Sequence, residues 1–576
     1  MGCGLSFIAD DDVKSSHHET NEDDDSERHR PPSPRDAHDI NLNRIKTISK
    51  SVAIDEKLGV VPHENVDEPV MPPNSLCSTR YLAAYLACLG FLTAFMGRAA
   101  LSVSMTAMVN STIDHELYEM NHRRPNQSFD FQVCKANGPT NASAKGQDGP
   151  FQWSSWTQEL ILASFYYGFP WLQLPAGYLA DANGRAAVWL LGFGYGVSAV
   201  CTLLTPLAAH LGVPFLMATQ VVSGITQGWT FPVFIALMSR WAPPSERSSL
   251  VAIGTSGIPL GQVIGQPVAG LWASSEFAGG WPSAFYFSGA LGVLWFIMWM
   301  CLVYPSPSSH PRISSKEREY IEKSLLHETK KAAVYPWKSM LTSVPVLAVC
   351  IADFSLLWIL YLFTTNLPIY LKTVLQFDIR QTGFLAAVPF VFYWLVWTVG
   401  GRFTDFLIAR TKFKITTIRK LLTFLAFMPS SVLLVAMGYV GCNTSVAMVT
   451  LTLGLSITGL AMSGVSMCQL DFAPRYSGII SAVSNMFAAT SGFLAPLLIG
   501  RFTENQADPR GWKIVFWTSA GIMMFGLVFF LIFGTAEIQP WARKTEDVNK
   551  NGTDDKSRRA ESDVSLFLPQ CKSTSV

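Results

Sequence analysis

Twelve runs of mostly apolar residues divide the chain, at 81–106, 157–180, 186–207, 214–238, 249–272, 281–304, 345–369, 382–403, 420–440, 446–468, 479–500 and 514–534. Each is near the roughly 20 residues that a helix needs to cross a hydrocarbon core of about 30 Å. Several contain Gly and Pro, which membrane helices tolerate better than soluble ones. The pattern predicts an all-α membrane protein with twelve transmembrane helices. Residues 1–76 and 535–576 are polar and without periodicity, so both are expected to be disordered arms. The linker 305–344 carries one short charged helical pattern, ISSKEREYIEKSLLHETKK. Residues 77–304 and 345–534 are then two six-helix bundles.

The turns between the runs repeat. GYLADANGR, from Gly177 to Arg185, separates the second and third runs, and GRFTDFLIAR, from Gly401 to Arg410, follows the eighth. In both, an Asp stands four residues after the Gly, as Asp181 and Asp405. WAPPSER, with Glu246 and Arg247, is echoed by DFAPRYSG. Two sets of turns recurring about half a chain apart indicate an internal duplication, a common construction of transporters. Gly177 permits close helix approach, and Gly184 permits a tight turn.

With 49% hydrophobic and 15% charged residues and a mean hydropathy of +0.26, the composition is that of a polytopic membrane protein. The net charge of +1 gives no field suited to nucleic acid. Lys and Arg are more frequent in the loops after even-numbered runs than after odd-numbered ones, which places both ends of the chain in the cytosol. No apolar stretch precedes the polar N-terminal arm, so no cleaved signal is expected. The long first loop, 107–156, faces the other way and carries sequons at Asn110, Asn126 and Asn141, so it is expected to be glycosylated. Of the ten cysteines, Cys134 and Cys442 fall on that side, which allows one disulfide. The start, MGCGLS, fits acylation of Gly2 and Cys3. The end, Ser573 to Val576, fits a ligand for a PDZ domain.

The motif G-x-L-A-D-x-x-G-R between the second and third runs resembles the signature of the major facilitator superfamily. FQWSSWTQELILASFYYGF, LPAGYLAD, GWTFPVFIALMSRWAPPSERS, NLPIYLK and LDFAPRYSGI resemble its branch of sialin, vesicular glutamate transporters and sodium–phosphate cotransporters. NLPIYLK leans toward sialin. The resemblance spans about residues 76–545. It implies two pseudo-symmetric six-helix bundles around a central cavity, and symport of a small anion with a proton or sodium ion by alternating access. The membrane would be the plasma membrane or that of a vesicle or lysosome.

Charges inside a membrane are costly and rare, so each is a functional candidate. Arg98, in the first run, matches the arginine this branch uses to attract substrate, a task suited to a planar, permanently charged guanidinium. Asp353, in the seventh, can take up a proton or serve as a counter-ion to Arg98. The fourth run departs from the branch. Where relatives carry an arginine and glutamates, this chain has Gln220, Ser223 and Gln227, and Leu356 replaces a second arginine. Gln220, Gln227 and Asn366 are expected substrate contacts by hydrogen bonding. Gly177, Asp181, Gly184, Arg185, Gly401, Asp405 and Arg410 are expected to gate the helix ends, with Glu246 and Arg247 as their partners.

None of the ten histidines falls inside a predicted span, and no metal-binding or nucleophile motif and no P-loop pattern is present, so neither an enzyme, a metal nor a cofactor is expected. Alternatives to ion-coupled symport are facilitated diffusion of a neutral or weakly charged solute, and a transport-dead sensor or scaffold.

Overall fold

A computed structural model describes residues 78–110, 149–243, 246–326, 336–503 and 509–542. Gly2, Cys3, Asn126, Asn141 and Ser573 to Val576 lie outside these residues. The twelve crossings are α1 (Thr79–Met108), α2 (Ser155–Gly168, continued by Gln173–Ala182), α3 (Gly184–Leu211), α4 (Val213–Trp241), α5 (Arg247–Thr255, continued by Gly257–Ala273), α6 (Pro282–Leu302), α7 (Val344–Thr373), α8 (Ile379–Arg410), α9 (Ile415–Met437), α10 (Thr444–Phe472), α11 (Ser477–Phe502) and α12 (Pro509–Phe533). Ten are long and apolar enough to cross a membrane by length and composition alone; α2 and α5 are each split into two shorter segments. The helix α2 breaks at Pro170, which cannot donate to the ladder.

Local chemistry sets the helix ends. Asn183 accepts from the Arg185 amide and starts α3. Asp378 caps α8 through the Gln381 amide (2.6 Å), and Asn443 caps α10 through Val446 (3.2 Å). Gly212, at φ +122°, makes the reversal from α3 to α4 that a side chain would strain. The helix α3 extends to Leu211 and so takes in His210, which sequence spacing had left outside; its ring packs near Phe151 and Trp281.

An even number of crossings returns the chain to the face where it entered. We call this the terminal face, where Gln539 binds the Phe472 carbonyl at the end of α10, and the opposite one the far face. The helices α1–α6 and α7–α12 form two bundles. Within the first, Gly257, Gly261 and Gly265 on α5 press against α1; a Cβ on Gly257 would lie 2.0 Å from the Cys88 carbonyl oxygen. Small residues spaced by four let two membrane helices meet backbone to backbone. At the terminal face, the buried Arg80 binds Glu246 (2.7 Å) and Glu317 (3.3 Å), tying the linker helix Ser315–Leu326 to the start of α1.

The bundles meet tightly in their far halves. Ser102 on α1 donates to the Thr365 carbonyl of α7 (2.7 Å), and Ser155 on α2 to the Thr503 carbonyl after α11 (2.7 Å). The Lys372 ammonium of α7 binds the Thr106 carbonyl of α1. A Cβ on Gly383 of α8 would lie 2.7 Å from the Gln266 carbonyl oxygen of α5. Nearer the terminal face, Asn485 of α11 donates to Gln173 of α2 (2.8 Å). Below that bond the described ion pairs stay within one bundle: Arg80 with Glu246, and Arg419 with Asp471 at 2.8 Å.

Candidate functional site

Arg98 projects from the middle of α1 into a small cavity lined by Thr202 and Thr205 of α3, Gln220, Ser223 and Gln227 of α4, Phe165 of α2 and Phe285 of α6. Its guanidinium donates twice to Gln227 Oε1, from Nε at 3.1 Å and Nη2 at 2.9 Å. Three rings surround the charge, Phe165 at 4.1 Å, Phe95 at 4.3 Å and Phe169 at 5.2 Å. Such contacts favour a cation by about 0.5–2 kcal/mol each. They do not neutralise it. Among the described residues no carboxylate bonds to Arg98.

The other cavity groups form a neutral chain. Gln227 donates to Ser198, Ser198 and Ser223 share a hydrogen bond (2.6 Å), and Gln220 donates to Thr205 (3.3 Å). On the side toward α7 an aromatic cluster of Phe165, Tyr166, Phe169 and Tyr361 closes the cavity. The Tyr166 ring lies against Gly492 of α11, where a Cβ would be 2.2 Å from it.

Of the remaining candidates, Asp353 and Asn366 are placed differently from the sequence reading. Asp353 is not the counter-ion of Arg98. It accepts hydrogen bonds from Ser466 of α10 (3.1 Å) and Ser484 of α11, inside the second bundle. Asn366 does not line the cavity. Its amide nitrogen lies 2.6 and 2.7 Å from the two carboxylate oxygens of Glu159 on α2. Glu246 is engaged by Arg80 at the start of α1. Arg247 donates to the Ala242 carbonyl (3.2 Å), and the Asp181 carbonyl is bound by Arg240 (2.6 Å). Gly184 abuts Arg240, and a Cβ on Gly177 would lie 3.4 Å from Pro232. Asp405 and Arg410 are exposed. Cys442 is disulfide-bonded, and its partner lies outside the described residues.

Sequence reasoning missed Glu159. It stands near the start of the second run, where a carboxylate reads as interfacial, yet the structure buries it completely. The signal was present: a Glu beside a Gln, both inside a predicted span.

The chain matches the model of the Major Facilitator Superfamily over residues 87–496. It belongs to the major facilitator superfamily. Human sialin is 37% identical over 466 residues, covering 81% of this chain and 91% of that protein. The mouse sodium-dependent phosphate transport protein 3 is 34% identical over 472 residues, covering 82% and 97%. Among solved structures, a bacterial homologue of the human lysosomal transporter Spinster, inward-facing and unoccupied, matches with a TM-score of 0.57 at 13% identity, over 80% of this chain and 99% of that one. That likeness supports the fold. Membership and relatives together make this chain a membrane transporter rather than an enzyme.

Proposed function

We propose that the chain is a secondary carrier of small monovalent anions, working by alternating access of the two bundles. One observation carries this reading. Arg98 holds a full charge in a small, partly open cavity whose other lining groups are all neutral. A half-buried charge has given up part of its hydration, which a partner of opposite sign would offset. An anionic substrate would supply it. A second anionic charge would find no cation in the cavity lining, so monoanions fit better than dianions. Relatives named for sialic acid or phosphate carriage make the anion class reasonable. The departures at Gln220, Ser223 and Gln227 argue for a substrate of this chain's own.

Coupling, in this reading, rests on Asp353, a nearly buried carboxylate held by two hydroxyls on helices α10 and α11, both of which are interrupted in mid-membrane. The coupled ion is a proton or sodium. Both termini lie in the cytosol. The test is uptake by proteoliposomes of a panel of mono- and dianions and neutral sugars, with and without pH and sodium gradients. Monoanion uptake that vanishes in Arg98→Ala supports the proposal. Uptake of neutral solutes alone, untouched by Arg98→Ala, overturns it in favour of facilitated diffusion.

A further inference from the structure

We propose that Glu159 is a proton-operated latch for the far face: the neutral acid lets the two bundles seal there, and the carboxylate keeps them apart. The inference rests on the alternating-access reading above.

Glu159 lies on α2, in the first bundle. Its carboxyl group is covered from the second bundle by Asn366 of α7 and by Gly500 of α11, where a Cβ would lie 3.1 Å from Glu159 Cβ. Side-chain exposure is nil. Three bonds around it cross between bundles in the far half: Ser155 to Thr503, Ser102 to Thr365, and Asn366 to Glu159 itself. When the far face opens, these contacts must part, and water reaches the carboxyl.

Among the described residues, the groups near it come from three helices. From α7 come the Asn366 amide and, farther along, Lys372, whose ammonium is bound to the Thr106 carbonyl of α1. From α11 come Gly500 and, next to it, the exposed Arg501. On its own helix Gln158 donates to the Trp153 carbonyl (3.0 Å), and Ser155 to Thr503. Among the described residues, Asn366 alone hydrogen-bonds to the Glu159 carboxyl, and an amide is neutral whichever end it presents. A carboxylate sealed against one amide has lost its water without gaining a cation, which is costly. A protonated acid loses little in the same place, because acid and amide can each donate and accept.

Closing the far face therefore takes up a proton, and opening releases it. Glu159 meets water only when that face is open, so its proton returns to the side from which it came. The group biases the conformational equilibrium without adding to the transported charge. By linkage, one proton bound on closing changes the open-to-closed ratio by up to about tenfold per pH unit. Acid favours the sealed far face.

The test uses the full chain in nanodiscs, with spin labels at Ser274 and Gln381, exposed on the far ends of α5 and α8, in a background cleared of other reactive cysteines. Wild type should show the longer inter-label distance gaining population as pH rises. Glu159→Gln should hold the short distance at every pH. Asn366→Asp, which sets two carboxyls face to face, should open the far face at neutral pH and seal only at more acid pH, with a steeper dependence. A wild-type distribution indifferent to pH, or a Glu159→Gln protein that follows wild type, overturns the latch. Neither readout requires a substrate. If the distances behave as expected while the liposomes take up no solute, the latch stands and the carrier reading falls; uptake dependent on Arg98 with pH-blind distances gives the reverse.

Discussion

Arg98 is the residue on which transport should turn. Its fork of donors is directed at Gln227, and a substrate carboxylate would compete for the same N–H groups. Charge-assisted bonds of this kind are worth about 1.5–3 kcal/mol. Arg98→Lys keeps the charge and loses the fork, so its apparent affinity for the anion should fall roughly tenfold to a hundredfold. Arg98→Ala should abolish uptake while the protein still reaches its membrane; normal uptake by that variant would end the assignment. For Asp353 the expectation concerns coupling. Asp353→Asn keeps one oxygen to accept from one of the two serine hydroxyls and offers an N–H to the other, but cannot exchange a proton, so counterflow should persist while accumulation against a gradient disappears. Accumulation unchanged in Asp353→Asn, with the same response to pH and sodium, would remove the carboxylate from the mechanism. Arg98 was legible in the sequence because a lone cation in an apolar run has few explanations. Asn366 was not, since an amide in a membrane helix is as suited to a neighbouring helix as to a solute, and only the fold reveals that Glu159 is opposite.

At the scale of elements, hydrophobic runs predict the helices to within a few residues, because backbone groups in lipid have no partner but their own helix. The exceptions are ends with polar chemistry. The helix α8 runs on to Arg410, where exposed charged side chains continue a helix that hydropathy cuts short, and α9 starts at Ile415, ahead of the buried Arg419. Pairings between helices were far less legible. The G-x-x-x-G-x-x-x-G spacing at 257–265 was in plain view, yet nothing in the sequence alone says that α1 is the helix it meets. The structure makes that contact testable. A Cβ on Gly261 would stand 2.7 Å from the Leu92 carbonyl oxygen, whereas one on Gly521 of α12 meets nothing within 4 Å. Gly261→Val should cost about 1–3 kcal/mol and lower the melting temperature in detergent. Gly521→Ala should leave it unchanged or raise it slightly, as helix interiors favour Ala by up to about 1 kcal/mol. Equal melting temperatures for Gly261→Val and wild type would show that the backbones do not approach as closely as described.

For the whole molecule, the duplicated turns pointed to two bundles, and the half-chain repeat is what lets them rock about a shared centre. The sidedness of that centre rests on charge. Lys and Arg gather in the loops of the terminal face, so that face should be cytosolic and the first loop should lie across the membrane. Glycans report this directly, because only sequons on the non-cytosolic side are modified. Of the three sequons in that loop, the structure describes Asn110. Asn110 follows the end of α1 by two residues, is half-buried, and has its backbone amide bound to the Phe151 carbonyl at 3.0 Å, which is poor ground for a bulky sugar. Asn126 and Asn141 stand farther along the sequence from the last residue of α1 and the first of α2. Glycosidase should sharpen and lower the gel band of wild type and of Asn110→Gln equally. The shift should vanish in the Asn126→Gln, Asn141→Gln double variant. A wild-type band that glycosidase leaves alone, or a shift that survives in the double variant and disappears only with Asn110, would show that sugar access follows neither the charge-derived orientation nor the crowding at the end of α1.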